Sequence, residues 1–411
     1  MHSPLQFVRQ RVPLLRELPA EVTAISAIAF CVALGFGIVA PAIPAFAREF
    51  GVSALAASAV VSVFAATRML SAPPATAMLK KYSERGVLTA GLVMVAVSSF
   101  AAGLSQNYEQ LLILRGMGGL GSTMFSVASL AMLMRVVEAE QRGRASAAWS
   151  GGFLTGGLAG PAVGGIFTAI SLRAPFFVYA ATLTAGALVS WFGLRHAHLN
   201  AGPAVATDPE TDVTRFSVAM KNRAYRAAIS MNFGTGFVRF GILSAMGPLF
   251  VVEALNSSAS MASLGFLASA IGQALFLSRA GKTTDFTGRK KVLLIGGILT
   301  TLAFALITAI ETLPVFFISM TVLGIAGAYL SSAPTAVVGD VSGGKPRGSM
   351  MSAYQMSADF GAIFGPVIAG YLLDQTGSFV EPFAMAAIGM ALLTLTVLRM
   401  PETLKSTTVA S

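Results

Sequence analysis

The chain has 411 residues, of which 55% are hydrophobic and only 11% charged, with a net charge of +10. Soluble domains carry roughly 25% charged residues, so a water-soluble fold is excluded. The positive balance does not point to nucleic acid either, because no basic stripe carries interleaved aromatic residues.

About 20 apolar residues at 1.5 Å rise span a ~30 Å hydrocarbon core. Twelve such runs are predicted, roughly at 22–45, 55–79, 87–104, 110–134, 145–168, 175–194, 226–252, 260–280, 291–310, 313–336, 348–373 and 382–400. Their length and the lack of period-two alternation predict helices rather than barrel strands. The first run has a basic lead-in (Arg9, Arg11, Arg16) and an Ala-rich end that superficially imitate a signal peptide. Its apolar stretch is too long for one, so it reads as retained structure. The single cysteine, Cys31, lies within it, which leaves no disulfide framework or thiol metal site. Outward turns such as 105–109 and 311–312 are short. The longest polar stretch, 195–225, carries Pro203, Asp208, Pro209, Glu210 and Asp212, then a basic stretch from Arg215 to Arg226. It reads as a solvated linker between bundles at 1–194 and 226–411. Its 214–225 part fits a surface helix or a loose tether.

With the N-terminus inside, Arg48 and Arg173 fall outside and Arg68, Arg115 and Arg239 within spans, while the remaining Lys and Arg fall on the cytoplasmic side. That asymmetry places both termini in the cytoplasm and the chain in the cytoplasmic membrane.

The two halves repeat. Shifted by 205 positions, Gly160-Pro161 falls on Gly365-Pro366, Arg142-Gly143 on Arg347-Gly348, Gly119 on Gly324 and Lys80 on Asp285. At a shift of 204, Gly37 and Pro44 meet Gly241 and Pro248. In the fifth run Gly152, Gly156, Gly160 and Gly164 recur every four residues with Pro161 and Gly165 beside them. The eleventh repeats this as Ser357, Gly361, Gly365 and Ala369 with Pro366 and Gly370. Such spacing puts small residues on one helix face, where a neighbouring helix can approach closely. A static packing groove would show the same stripe. The turn after the eighth run reads Gly281-Lys282-Thr283-Thr284-Asp285-Phe286-Thr287-Gly288-Arg289-Lys290-Lys291. The fourth run opens Arg115-Gly116-Met117-Gly118-Gly119.

The string Gly156-x-x-x-Gly160-Pro161-x-x-Gly164-Gly165 resembles the fifth-helix motif of proton-coupled antiporters of the major facilitator superfamily. The Gly281–Lys291 turn resembles that family's cytoplasmic signature loop, and the Arg115–Gly119 stretch its fourth-helix motif. The resemblance covers roughly 20–400. It implies an all-α membrane protein whose twelve transmembrane helices form two pseudo-symmetric six-helix bundles, rocking about a central cavity. It also implies that Arg115 bonds polar groups of the first span and bears on proton coupling. An arginine snorkelling to the outer interface is the plainer alternative. In the first half, Thr76, Lys80, Ser83 and Glu84 stand where the signature expects Gly, Asp, Gly and Arg, which puts the gating role of that loop in doubt. The Gly281-Lys282-Thr283 stretch also looks like part of a phosphate loop, but Phe276 occupies the required first glycine.

Asp359 is the carboxylate placed well inside a span, where a charge costs ~3 kcal/mol or more, so a partner or a titrating role is expected. Arg68 lies 12 residues before Lys80, and Asp359 lies 12 after Arg347; both are thus roughly 18 Å from their cytoplasmic helix ends. Adjacency of the second and eleventh helices comes from the resemblance. Asp359 as the proton-responsive acid, with Arg68 as its partner, competes with a permanent structural pair. Arg239, near Asn232, could attract an anion or pair with Asp359 itself. Gln273, Tyr329, Tyr354 and Gln355 are weaker cavity candidates. The first span lacks a mid-helix acid, which tilts the cargo from strictly cationic toward neutral or anionic compounds.

The expected function is proton-coupled efflux of a small molecule such as a drug or metabolite, by a monomer needing no cofactor. Uptake by symport on the same fold, or a non-transporting membrane sensor, are the alternatives. No enzyme is expected: His2, His196 and His198 lie in the tail or linker without metal-ligand spacing, and no nucleophile has a nearby base.

Overall fold

A computed structural model describes residues 18–138, 141–195, 217–342 and 348–404, and every element among them is helical. Eleven helices are long and apolar enough to cross a membrane, and the pair Ala54–Leu70 and Ala72–Lys81, bent by 43°, makes a twelfth. The first span runs Ala20–Arg48, longer than the 22–45 expected, because Pro41 falls in a 3-10 turn and Pro44 in the first turn of the helical segment after it, where neither ends the helix. Caps begin several spans where the sequence supplies them. Ser83 Oγ accepts from Gly86 N ahead of Glu84–Gly103, Asn107 from Gln110 N ahead of Tyr108–Val136, and Asn222 from Ala224 N ahead of the seventh span. In the 214–225 stretch, where the sequence fits either a surface helix or a loose tether, residues 217–221 are helical and 223–225 begin the seventh span; most of the linker lies outside the described residues.

The chain forms two compact units. Unit 1 comprises Met1–Val52, Ala59–Val205 and Ser258–Leu267; unit 2 comprises Ser53–Ser58, Ala206–Ser257 and Ala268–Ser411. Inside unit 1 the first span packs on the fifth along the glycine stripe. A Cβ on Gly160 would fall against the Gly37 backbone and the Leu34 carbonyl, so glycine at both positions is what lets the two backbones meet. Inside unit 2 the seventh span packs on the eleventh the same way, with Gly241 against Gly365 and Pro366. The contacts therefore fall on the residue pairs that the 204 and 205 shifts superimpose.

Each unit is stapled by aromatic side chains near one end of its spans. Phe46 meets Phe176 at 5.2 Å in unit 1, and Phe250 meets Phe383 at 5.2 Å in unit 2. Large apolar residues are nonetheless left exposed along the helices, among them Leu70, Ile113, Leu275 and Ile388. In water they would form a costly surface; against hydrocarbon they are the expected outer face.

Candidate functional site

The interior polar groups lie on helices whose close packing fixes them. In unit 1, Arg115 is 3% exposed, so it does not snorkel to the interface. Its guanidinium lies 4.6 Å from the Phe64 ring centroid, with the buried Tyr179 close enough to act on its charge. Its Nε has no hydrogen-bond partner. A cation resting on an aromatic face is held by the ring quadrupole.

In unit 2, Arg239 sits on a stretch of the seventh span, Thr235–Leu243, that is wound as a π-helix. Wider turns of this kind are frequent at functional sites. The Arg239 guanidinium is pressed against Gly327 of the tenth span, where any Cβ would collide with it, and donates to Gln273 Oε1 at 2.8 Å. A cavity of about 10 Å³, lined by Thr235, Arg239, Thr300, Gly327 and Met390 among others, adjoins it. That approaches the ~10–15 Å³ one water needs. Arg239 and Gln273 are thus brought together. Asn232 is spent elsewhere, donating to the Tyr354 carbonyl at 2.5 Å and to Ser357 Oγ at 3.2 Å, and so ties the seventh span to the eleventh. Tyr329 and Tyr354 are buried, and Gln355 is exposed. Arg68 lies in unit 1 and Asp359 in unit 2, and neither is without a partner.

The signature loop is built as an ionic cluster. Arg289 Nε reaches Asp340 Oδ2 at 3.1 Å, its Nη1 donates to the Thr284 carbonyl at 2.5 Å, and Asp285 lies 4.0 Å away. Glu402, beyond the twelfth span, accepts from the backbone N–H of Arg289 at 2.9 Å and of Lys290 at 3.2 Å. Gly288 has φ of +115° and a Cβ there would strike that carboxylate, so this glycine is required on both counts. Gly281, by contrast, has open space around it and no packing reason to be glycine. Burial pushes the Glu402 carboxyl up, but N–H donors from Leu404, Arg289, Lys290 and Thr403 outweigh it and hold it below the usual carboxylate range.

The central ion pair of this cluster has a counterpart in unit 1 with its signs reversed. Lys80, Glu84 and Arg135 precede Asp285, Arg289 and Asp340 by 205 positions each. Glu84, buried at the start of the third span, pairs with Arg135 at the end of the fourth, just as Arg289 pairs with Asp340. Sequence reasoning noted the odd residues at 80 and 84 but missed Arg135, Asp340 and Glu402. The signal was present, since each pair is separated by 51 residues.

These features describe a helical membrane transporter scaffold, and comparison with known proteins agrees. The family model for the Major Facilitator Superfamily matches residues 25–246 and 228–410. Multidrug resistance protein 1 of Bacillus subtilis (strain 168) is 26% identical over 368 residues, 88% of this chain and 92% of its own length. Multidrug resistance protein MdtG of Salmonella typhi is 27% identical over 370 residues, 87% and 89% of the two chains. A crystal structure of the nucleoside transporter NupG shares the fold with a TM-score of 0.74 at 16% identity, covering 92% of this chain and 99% of that one. A POT family transporter solved with 5-aminolevulinic acid gives 0.77 at 12%, covering 96% and 98%. This chain belongs to the Major Facilitator Superfamily. It is a multi-pass membrane protein with the twelve-span fold of that family, and carries small molecules.

Proposed function

We propose that this protein exports a small organic molecule across the cytoplasmic membrane in exchange for protons, by alternating access, with both termini in the cytoplasm. The observation that carries this reading is similarity over nearly the whole chain to two relatives named for multidrug resistance. The fifth-span string Gly156, Gly160, Pro161, Gly164 supports antiport, and its seam against the first span supplies a rigid element for the movement. The cargo is neutral or anionic: Arg239 and Gln273 offer donors, and the first span carries no acid between Ala24 and Ala45.

In this reading Asp359 takes and releases the proton, Arg68 is its partner in one conformation, and Arg115 tunes the coupling. The assignment rests on the matched depth of Arg68 and Asp359 and on the high cost of a lone charge in hydrocarbon.

The test begins with a growth-inhibition panel comparing deletion and overexpression strains, which supplies a substrate. Everted membrane vesicles given a proton gradient should then accumulate it, and a protonophore should stop accumulation. Substrate leaving instead would favour the uptake symporter, and no movement in either direction a non-transporting sensor. Asp359→Asn should abolish gradient-driven accumulation while leaving downhill exchange; intact coupling in that variant would remove Asp359 from the proton path.

A further inference from the structure

Unit 2 has a groove of about 970 Å³ between the start of the seventh span and the end of the twelfth, lined by Arg223, Arg226, Ser230, Leu392, Leu395 and Arg399, with Ala227, Thr396 and Leu398 completing it. We propose that this groove binds an anionic phospholipid, with the phosphodiester held by the three arginines and an acyl chain lying along the leucines.

The charge argument comes first. Three arginines line the groove and no carboxylate does. Arg223, Arg226 and Arg399 have no ion pair among the described residues. Arg223 and Arg226 also stand in the first turn of the seventh span, where the positive end of the helix dipole disfavours cations. A bound phosphate would offset the repulsion among the arginines and the unfavourable dipole together. Neighbouring cations are answered within the chain: Lys290 Nζ donates to the Leu398 carbonyl at 2.7 Å, and Arg289 has Asp340.

The apolar wall selects a lipid over a soluble anion. Leu392, Leu395 and Leu398 follow one another at spacings of three on one helix face, and are 60%, 55% and 54% exposed. A hydrophilic phosphate would leave that stripe uncovered, whereas an acyl chain covers it while its headgroup reaches the arginines at the helix ends. The volume lies within the ~300–1,000 Å³ typical of small-molecule sites. With no acid in the lining, an ammonium-bearing headgroup has no counter-charge, so the net-negative class is preferred.

The test uses the full chain, purified and delipidated in a neutral detergent, with bound lipid counted by native mass spectrometry and thermal unfolding followed in parallel. Dioleoylphosphatidylglycerol should be retained and should raise the unfolding temperature, while dioleoylphosphatidylcholine should do neither. Arg223→Gln/Arg226→Gln/Arg399→Gln should weaken phosphatidylglycerol retention at least tenfold. Arg279→Gln/Lys282→Gln/Lys291→Gln, which removes equal charge elsewhere on unit 2, should leave it unchanged. Leu392→Ser/Leu395→Ser keeps the charges and should weaken retention severalfold, an independent check should the arginine variant fold poorly. Equal losses in the two charge variants would mean diffuse attraction and overturn the site. Stabilisation by glycerol 3-phosphate equal to that by phosphatidylglycerol would mean a soluble anion instead. If phosphatidylglycerol is retained only after Asp208→Asn/Glu210→Gln/Asp212→Asn, the groove belongs to the chain's own linker and the proposal fails.

Discussion

The glycine seams of the two units are built alike, but the ionic clusters carry opposite signs. Packing explains the first fact: backbones at contact distance require the same small residues in both copies, whatever the charges nearby. Coulomb energy explains why the second is possible, because it depends on the product of two charges and is unchanged when both are reversed. The helix dipoles are not indifferent, however. Glu84 stands at the start of a helix and Arg135 in the last turn of another, both complementary to the dipole. Arg289 at a helix start and Asp340 near a helix end both oppose it. Unit 2 adds Glu402 at that helix start, restoring a negative charge where unit 1 already has one. The two pairs thus look equivalent in distance and differ in how much help each needs.

The likeness of the seams should break hardest. Gly160→Val and Gly365→Val each force a side chain into a neighbouring backbone, and each should cost about 2–3 kcal/mol or more. Unfolding in a denaturing detergent titration would show equal losses; tolerance of either change would show that the seams are not equivalent. Next, Glu84→Gln leaves Arg135 with its charge unanswered and its side chain only 34% exposed. The expected loss is about 1–2 kcal/mol, less than for a fully buried pair. Exchange of the two, Glu84→Arg with Arg135→Glu, should recover only part of that, since both charges then oppose their dipoles. Full recovery, read by the same titration, would show that the dipoles contribute nothing.

The smallest effect concerns Glu402. Its carboxyl is held below the usual range, so its contribution is complete above the unfolded pKa and is lost as pH falls through the folded one. Glu402→Gln should destabilise by a few tenths of a kcal/mol at neutral pH, the site being largely exposed to solvent. Thermal unfolding of the two proteins should converge as the pH falls below about 4. A constant gap would assign the loss to packing rather than charge.

Much of the fold was legible because hydrocarbon imposes long apolar runs, and because duplication repeats its punctuation at a fixed shift. Arg239 and Gln273 were legible as polar residues in apolar runs. Their pairing was not, since it depends on the missing side chain of Gly327, which leaves the space that Arg239 enters. Arg115 was visible as an intramembrane cation, yet its Phe64 partner was not, because a ring face gives no polar signal. Glu402 lay past the last span, in sequence that reads as a tail, and only folding brings it to the Arg289 backbone.

The bend in the second span has its own consequence. Pro73 and Pro74 have no N–H to give, so the carbonyls of Met69 and Leu70 lose their usual helical donors. Hydroxyls bond the two carbonyls just before them, Ser71 that of Thr67 and Thr123 that of Arg68. Ser71 N to Thr67 O and Ala75 N to Ser71 O still cross this elbow, but with two rungs already missing, bending here breaks fewer backbone bonds than in an intact helix. The repeat copy, Ala259–Phe286, is one unbroken rod and would have to melt a turn to do the same.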